Sequence, residues 1–248
     1  MAVLVTRPQP DDEATAASLR ARGFEVLKAP MLRFEPVPFH DDAEADYGAV
    51  IVTSANALRG IEPQFKASPL LKLPLFAVGE HTASAARGAG FENVIPAGGD
   101  AGSLRDLVLA RVKAKALKKT SPLLYLAGAD LARDLAGELG ERGFTVVTHT
   151  TYRMAQVTGL PREISEAFAA NAIEAVLHYS RRSARAFLEA ARAAGVEISA
   201  LAIPHCCISD NVAAVVRDAG AMQVTVAASP DENALFGALD RALRTASR

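Results

Sequence analysis

The sequence predicts an α/β protein with parallel sheets, and two observations support this prediction. Short apolar segments rich in Val, Ile and Leu alternate with Ala-rich segments of helical periodicity, which is typical of βαβ units. Residues 3–28 and 123–148 also share one sequence pattern at an offset of 120. One α/β unit therefore occurs twice in the chain.

The repeat continues along the chain. Residues 48–61 match 174–187, and residues 76–97 match 206–227. Because the apolar segments are short and β-branched, we predict strands near 2–6, 24–28, 48–53, 75–78, 93–96, 122–127, 144–149, 174–179, 203–208 and 223–227. Five strands in each copy predict two flavodoxin-like domains.

Two extended segments, 29–40 and 148–161, follow the second strand of each copy and carry proline or β-branched residues. If the chain crosses between domains at both segments, they form a two-stranded linker. The first domain is then discontinuous, 1–35 with 158–248, and the second is continuous, 38–152. Two consecutive domains are the alternative, because the repeat alone does not decide between them.

The composition is that of a soluble globular protein. Of 248 residues, 50% are hydrophobic and 22% charged, with a net charge of -1, which argues against a disordered or nucleic-acid-coating chain. Because neither a secretory signal nor a membrane-spanning apolar run is apparent, we expect a cytoplasmic protein. Cys206 and Cys207 are neighbours in a predicted strand and point to opposite faces, so we expect two reduced, packed thiols.

Small hydroxyl, amide or glycine residues follow several strands where a helix is predicted to begin. Ligands of open parallel sheets bind beyond the carboxyl ends of the strands, and helix N-termini favour anions. Helix capping is the ordinary explanation for any one of these residues. The candidate substrate-binding residues of these turns are Thr53, Ser54, Ala55, Asn56, Gly79, Thr82, Gly102, Ser103, Ser180, Ser183, Ser209 and Asn211.

Four larger side chains are also candidates for the site. Arg7, Arg181 and Arg182 follow predicted strands and can hold carboxylates through the guanidinium fork, although surface solvation is the ordinary alternative. Tyr152 begins the second crossing, where a neutral phenol can donate a hydrogen bond to a leaving hydroxyl. Packing of the ring against the linker is the alternative role.

Several common sites are not indicated. The sequence lacks the spacings of a dinucleotide loop, a P-loop, a zinc HExxH helix and a GxSxG elbow. His149, His178 and His205 lie in predicted strands, where a core or edge histidine is the better interpretation than a metal ligand. We therefore expect neither a metal nor another cofactor.

The motifs "VLVTRP", "YGAVIVTSANAL", "LFAVGEHTASAARGAGF", "GFTVVTHTTYR" and "ASPDENALFGAL" occur in this order along the chain. In series they resemble uroporphyrinogen-III synthases from end to end. The resemblance implies a cofactor-free lyase of tetrapyrrole biosynthesis that cyclises hydroxymethylbilane with loss of water and inversion of ring D. It also implies two α/β domains with an active site in the cleft, which favours the double crossing.

The resemblance carries over to individual positions. Ser54, Thr82 and Ser180 match hydroxyl residues of the family, and Tyr152 matches the tyrosine proposed to assist loss of hydroxide. The turn at 209–212 departs from the Gly-Pro-Thr-Thr-like turn of many members, and Arg182 replaces a usual serine. Beyond its tetrapyrrole substrate we expect no partner, neither nucleic acid nor membrane, and a monomer. The alternatives are a non-catalytic two-domain binding protein of periplasmic type and a sugar- or nucleotide-handling transferase.

Overall fold

The computed structural model of the chain describes residues 2–38, 46–61, 68–131 and 133–246. The end of the predicted crossing, at residues 39 and 40, lies outside the described residues. The same holds for positions 39–45, 62–67 and 132 of the predicted domain 38–152.

The described residues form short strands that alternate with helices, as the apolar periodicity predicts. The strands are β1 Ala2–Val5, β2 Glu25–Lys28, β3 Leu32–Pro36, β4 Ala49–Val52, β5 Pro74–Ala77, β6 Asn93–Pro96, β7 Leu123–Gly128, β8 Val146–Gln156, β9 Ile173–His178, β10 His205–Cys207 and β11 Val224–Val226. The helices are α1 Asp11–Ala21, α2 Ala55–Arg59, α3 Glu80–Gly88, α4 Ala101–Lys113, α5 Leu135–Gly140, α6 Arg162–Ala169, α7 Arg181–Ala193, α8 Glu197–Ala202, α9 Asp210–Asp218 and α10 Glu232–Ala246, with a 3-10 helix at Pro69–Lys72. None of the helices in this part of the chain has both the length and the apolar character that a bilayer span requires.

The strands form two sheets. One has the order β11-β10-β9-β1-β2, and the other has the order β3-β8-β7-β4-β5-β6. Neighbouring strands pair in parallel throughout the first sheet and from β8 to β6 in the second. The predicted α/β class with parallel sheets is confirmed.

Strand register repeats between the two sheets. In the first sheet Val3 lies opposite Val26, and in the second Leu123 lies opposite Val146. Two further pairs agree in the same way. Val176–His205 of the first sheet corresponds to Val50–Leu75 of the second, and Cys206–Thr225 corresponds to Phe76–Ile95. The backbone pairing thus repeats wherever the sequence repeats.

Internal contacts divide the chain into two compact units, Met1–Phe34 with Ala155–Arg248 and Glu35–Met154. In each unit, alternate strand residues pack to opposite faces of the sheet, because successive side chains of a strand point in opposite directions. In the first unit, Leu4 packs against one cluster, while Val3 and Val5 pack against another. Both faces of each sheet are therefore covered, as parallel sheets require.

The two cysteines follow this alternation. Cys206 packs with the cluster of Val3 and Val5, whereas Cys207 packs against α9. Both thiols are free and buried, and burial raises the pKa of each to about 12. The prediction of two packed, reduced thiols is confirmed.

Two histidines of adjacent strands form a buried pair in the first unit. His178 Nε2 and His205 Nδ1 lie 2.9 Å apart, and His205 Nε2 lies 3.0 Å from the carbonyl oxygen of Ala200. Both side chains are fully buried, and Phe187 packs against the ring of His178. The interpretation of His178 and His205 as core residues is confirmed.

Burial makes this pair a source of acid sensitivity. Desolvation lowers the pKa of His205 from 6.5 to about 4 and lowers the pKa of His178 well below its ordinary value. Below pH 6.5 the unfolded chain binds protons that the folded protein excludes, so the free energy of unfolding falls as the pH falls towards 4. The loss approaches about 1.4 kcal/mol per pH unit for each histidine.

We therefore expect the free energy of unfolding, measured by urea denaturation, to be about 2 kcal/mol lower at pH 5.5 than at pH 7.5 because of this pair. His178→Gln keeps a nitrogen near the Nε2 position without its titration, and should remove about half of that difference. The exposed His81 provides the control, since His81→Gln should leave the difference unchanged. An unaltered pH dependence in both His178→Gln and His205→Gln would contradict the assignment.

Candidate active site

A pocket of about 320 Å³ lies within the unit Glu35–Met154. The chain leaves β4 towards β5 and leaves the adjacent β7 towards β8, on the opposite side, so the strand order reverses between β4 and β7. Ligands of open α/β sheets bind beyond the strands at this reversal. The pocket is lined by residues that follow β4, β5 and β6, by residues within and after β7, and by one residue of β8: Thr53, Ser54, Val78, Gly99, Asp100, Ala101, Tyr125, Gly128, Asp130, Leu131, Arg133, Leu135 and Tyr152.

Tyr152 reaches the pocket through a β-bulge. Ala127 lies opposite Thr150 and Gly128 lies opposite Tyr152, so Thr151 is an extra residue on β8. Val147 and Tyr152 consequently pack against the same core cluster, although their odd separation would place them on opposite faces of an unbroken strand. The bulge thus turns the phenol towards the pocket.

The backbone around the bulge is held on both sides. The amide of Ala129 donates to the carbonyl oxygen of Tyr152 at 2.9 Å. The buried hydroxyl of Thr151 donates to the carbonyl oxygen of Ala127 at 3.3 Å. These bonds fix the backbone from which the Tyr152 side chain extends.

A second tyrosine supplies part of the pocket wall. The hydroxyl oxygens of Tyr125 and Thr53 lie 2.9 Å apart. Burial raises the pKa of Tyr125, and the hydrogen bond from Thr53 opposes this shift in part. Two neutral hydroxyl groups therefore face the pocket from β7 and from the end of β4.

The charged residues of the pocket are engaged by neighbouring groups. The Asp100 carboxylate accepts a hydrogen bond from the Ser103 amide at 2.8 Å, and this bond lowers the pKa of Asp100. The Arg133 guanidinium pairs with Glu138 through two nitrogens. The N-terminus of α4, where Gly102 and Ser103 are predicted to hold a substrate anion, is therefore already capped by the protein's own carboxylate.

Of the sequence-predicted residues in this unit, the pocket brings together Thr53, Ser54 and Tyr152. The Ser54 hydroxyl accepts from the amide of Asn56 at 3.2 Å, so it caps α2, whose first residue is the buried Ala55. The remaining predicted residues, Gly79, Thr82, Gly102 and Ser103, lie in or beside α3 and α4 outside the lining. Gly79 is the N-cap residue of α3, and Thr82 is buried within that helix.

In the first unit, the predicted residues of the 180–183 turn cap α7. The hydroxyl of Ser180 accepts from the amide of Ser183 at 3.1 Å, while Arg181 and Arg182 are exposed on the first turn. At the other predicted turn, Ser209 begins α9, and Asn211 is exposed.

Arg7 belongs to a network of polar side chains. Its guanidinium contacts Asp11 and Glu232, each at 3.2 Å, and lies 4.7 Å from the centre of the Tyr179 ring. The Tyr179 hydroxyl donates to Glu232 at 3.0 Å, and Thr15 donates to the same carboxylate oxygen. The guanidinium that the sequence suggests for a substrate carboxylate thus already binds two carboxylates of the chain.

By its position in the repeat, this network corresponds to part of the pocket region in the other copy. By the repeat, Tyr179 corresponds to Thr53, and Arg7 corresponds to Ala127. Glu232 corresponds to Ala101, since each is the first residue of a helix capped by the preceding aspartate. Larger side chains thus stand in the first unit at positions that smaller residues hold in the second.

Comparison with known proteins identifies the family. The family model described as uroporphyrinogen-III synthase HemD matches residues 13–237. The chain belongs to the uroporphyrinogen-III synthase family. The match covers most of the chain and confirms the resemblance given by the motifs.

Two solved structures share the fold. The uroporphyrinogen-III synthetase of Helicobacter pylori is 18% identical with a TM-score of 0.63, and the alignment covers 100% of this chain and 99% of that chain. A mutant uroporphyrinogen III synthase of Thermus thermophilus is 19% identical with a TM-score of 0.57, and the alignment covers 99% of this chain and 100% of that chain. No curated protein matches the sequence at a significant level.

Sequence reasoning missed several pocket residues of this family member. Tyr125, Asp130, Leu131 and Arg133 line the pocket from β7 and the following turn. That turn corresponds, by the repeat, to the turn after β1 that carries Arg7, and this correspondence was the available signal. Among the described residues, no group of three or more His, Cys, Asp or Glu side chains is arranged to hold a metal ion.

Proposed function

We propose that this chain cyclises hydroxymethylbilane to uroporphyrinogen III, with loss of water and inversion of ring D. The observation that carries the proposal is the family match over residues 13–237. A pocket at the reversal of strand order, with Tyr152 in its wall, supports it. The proposed reaction needs no cofactor, since the pyrrole nitrogen itself supplies the electrons that expel the hydroxyl group.

In this mechanism the Tyr152 phenol donates a hydrogen bond to the hydroxyl that leaves from the hydroxymethyl group. A neutral phenol can act as donor without first binding a proton. The carbon left behind then bonds to the substituted α-carbon of ring D and forms a spiro product. The bond from that α-carbon to the bridge of the neighbouring ring then breaks, and the bridge carbon bonds to the free α-carbon of ring D. Loss of the proton from that α-carbon restores the pyrrole and leaves ring D inverted. Because the pyrrole assists departure of the hydroxyl, holding the chain of four rings in the reactive shape contributes more than acid catalysis.

We propose that amides at helix N-termini hold part of the substrate's carboxylates. Within the described residues, α3 and α9 have Gly79 and Ser209 as N-cap residues without a side-chain hydrogen bond, whereas α4 and α7 are capped by the side chains of Asp100 and Ser180. Uncapped amides at a helix N-terminus favour anions. This assignment is compatible with a near-neutral chain, because backbone amides carry no net charge.

We propose further that the two compact units are flavodoxin-like domains, and that β3 and β8 form the linker. Both strands contain a boundary between the units, at Phe34–Glu35 and at Met154–Ala155. The proposed enzyme is a cytoplasmic monomer whose partner is its small-molecule substrate.

The proposal also includes substrate contacts by further residues at or near helix N-termini: Ala55, Asn56, Thr82, Arg181, Arg182, Ser183 and Asn211.

The decisive experiment is incubation of the purified protein with hydroxymethylbilane, followed by oxidation and separation of the porphyrin isomers. We expect the type III isomer, whereas a protein-free incubation yields the type I isomer that forms spontaneously. Type I alone at every enzyme concentration would overturn the proposed activity. Binding of hydroxymethylbilane without type III product would instead favour the non-catalytic binding protein.

A further inference from the structure

We infer that Gly128 is a positioning residue, whose missing side chain leaves the space in which the Tyr152 phenol lies against the pocket wall. The inference rests on the proposed role of Tyr152 in the reaction. It extends that role to a second residue that reaches the reaction only through the tyrosine ring.

The contact between the two residues is closer than a side chain at position 128 would allow. A Cβ atom added to Gly128 would lie 2.6 Å from Cζ, 2.8 Å from the hydroxyl oxygen and 2.9 Å from Cε1 of Tyr152. Real Cβ atoms essentially never approach other heavy atoms within 3.0 Å. Any side chain at position 128 therefore displaces the phenol, including the oxygen proposed to donate to the leaving hydroxyl.

Backbone conformation does not explain the glycine. Six glycines of the described residues have positive φ, and Gly128 is not among them, so an L-residue can adopt its backbone angles. The ring of Tyr152 accounts for all three of the close contacts at this position. The space requirement of the phenol is thus the physical reason for glycine here.

The strand cannot move away to relieve the contact. The amide of Ala129 and the carbonyl of Tyr152 are hydrogen-bonded, and the bulge residue Thr151 is bonded to Ala127. A methyl group at position 128 must consequently turn the ring rather than shift the backbone. A displacement of about 1 Å at a reacting group can lower a rate by up to about a hundredfold.

The first test is a double-mutant cycle on kcat for formation of the type III isomer. We expect Gly128→Ala to lower kcat roughly tenfold in the wild-type background. In the Tyr152→Phe background the hydroxyl is absent, so the same change should lower kcat less than about twofold. If the added methyl instead acts independently of the phenol, the fold reductions in kcat caused by the two substitutions should multiply in the double variant.

The second test uses stability and is independent of activity. Gly128→Ala should lower Tm by a few degrees because the methyl meets the ring, and it should not lower Tm in the Tyr152→Leu background, where the ring is absent. Gly88→Ala is the matched control, because a Cβ atom at this exposed helical position meets nothing within 4 Å. It should leave kcat essentially unchanged and should not lower Tm, because alanine favours a helix more than glycine does.

The outcomes separate the inference from the proposed function. The role of Gly128 is overturned if the wild-type protein forms the type III isomer but the effects of the two substitutions on kcat multiply. It is also overturned if Gly128→Ala leaves kcat unchanged. In both cases the proposed function stands. An unchanged kcat in Tyr152→Phe removes both the role of the tyrosine and that of Gly128. If the wild-type protein forms no type III isomer, the proposed function itself is overturned. A Tm effect of Gly128→Ala that depends on the Tyr152 ring then shows only that the two residues are in contact.

Discussion

Replacing Tyr152 with phenylalanine should lower kcat for formation of the type III isomer by roughly tenfold to a hundredfold without abolishing it. The change removes only the hydroxyl, and the ring keeps its place against Gly128 and the core cluster that contains Val52 and Leu126. General acid assistance contributes factors of about a hundred to ten thousand, and electron donation by the pyrrole supplies part of the same driving force. KM should change little, because the proposed contacts to the substrate carboxylates are made by other residues.

Tyr47→Phe is the matched control for this variant. It removes a phenol from a buried tyrosine of the same unit that does not line the pocket. We expect its kcat to equal that of the wild-type protein. A Tyr152→Phe variant with the same kcat as Tyr47→Phe at saturating substrate would remove Tyr152 from the mechanism.

Replacing Gly60 with alanine should lower the free energy of unfolding by about 3 kcal/mol. Gly60 ends α2, and a Cβ atom there would lie 2.2 Å from the carbonyl oxygen of Thr151. That oxygen is main chain, and it also accepts a hydrogen bond from the amide of Val37 at 2.9 Å. The added methyl can therefore be accommodated only if α2 or β8 moves and this bond is strained.

Urea denaturation measures the loss, with Gly88→Ala as the control, whose stability should equal or slightly exceed that of the wild-type protein. Because Thr151 precedes Tyr152, the surviving folded Gly60→Ala protein should also show a lower kcat. A variant as stable as wild type would show that α2 and β8 separate freely, and that the bulge is less constrained than its contacts indicate.

The elements that sequence reasoning located well are those with a strong burial signal. The run "AVIV" at β4 is buried on both faces, and continuous apolar runs of this length are typical of central parallel strands. The predicted strand at 144–149, by contrast, continues as β8 to Gln156. Its second half, "TTYRMAQ", mixes exposed, partly buried and buried residues without strict alternation, so hydrophobicity does not mark where it ends.

The candidate site was predictable only in part, for a related reason. Tyr152 could be predicted because it stands at the start of the second crossing and matches the tyrosine of the family pattern. Tyr125 lies within the apolar run "LLYLAG", and only the register of β7 against β4 brings its hydroxyl to Thr53. The bulge at Thr151 depends on the partner strand as well, and one strand's sequence does not record its partner.

The network of Arg7, Tyr179 and Glu232 has a consequence for the stability of the first unit. Arg7 and Tyr179 both bind the Glu232 carboxylate, and this links the turn after β1, the end of β9 and the start of α10. Substitutions in this network are therefore expected to lower the stability of the first unit.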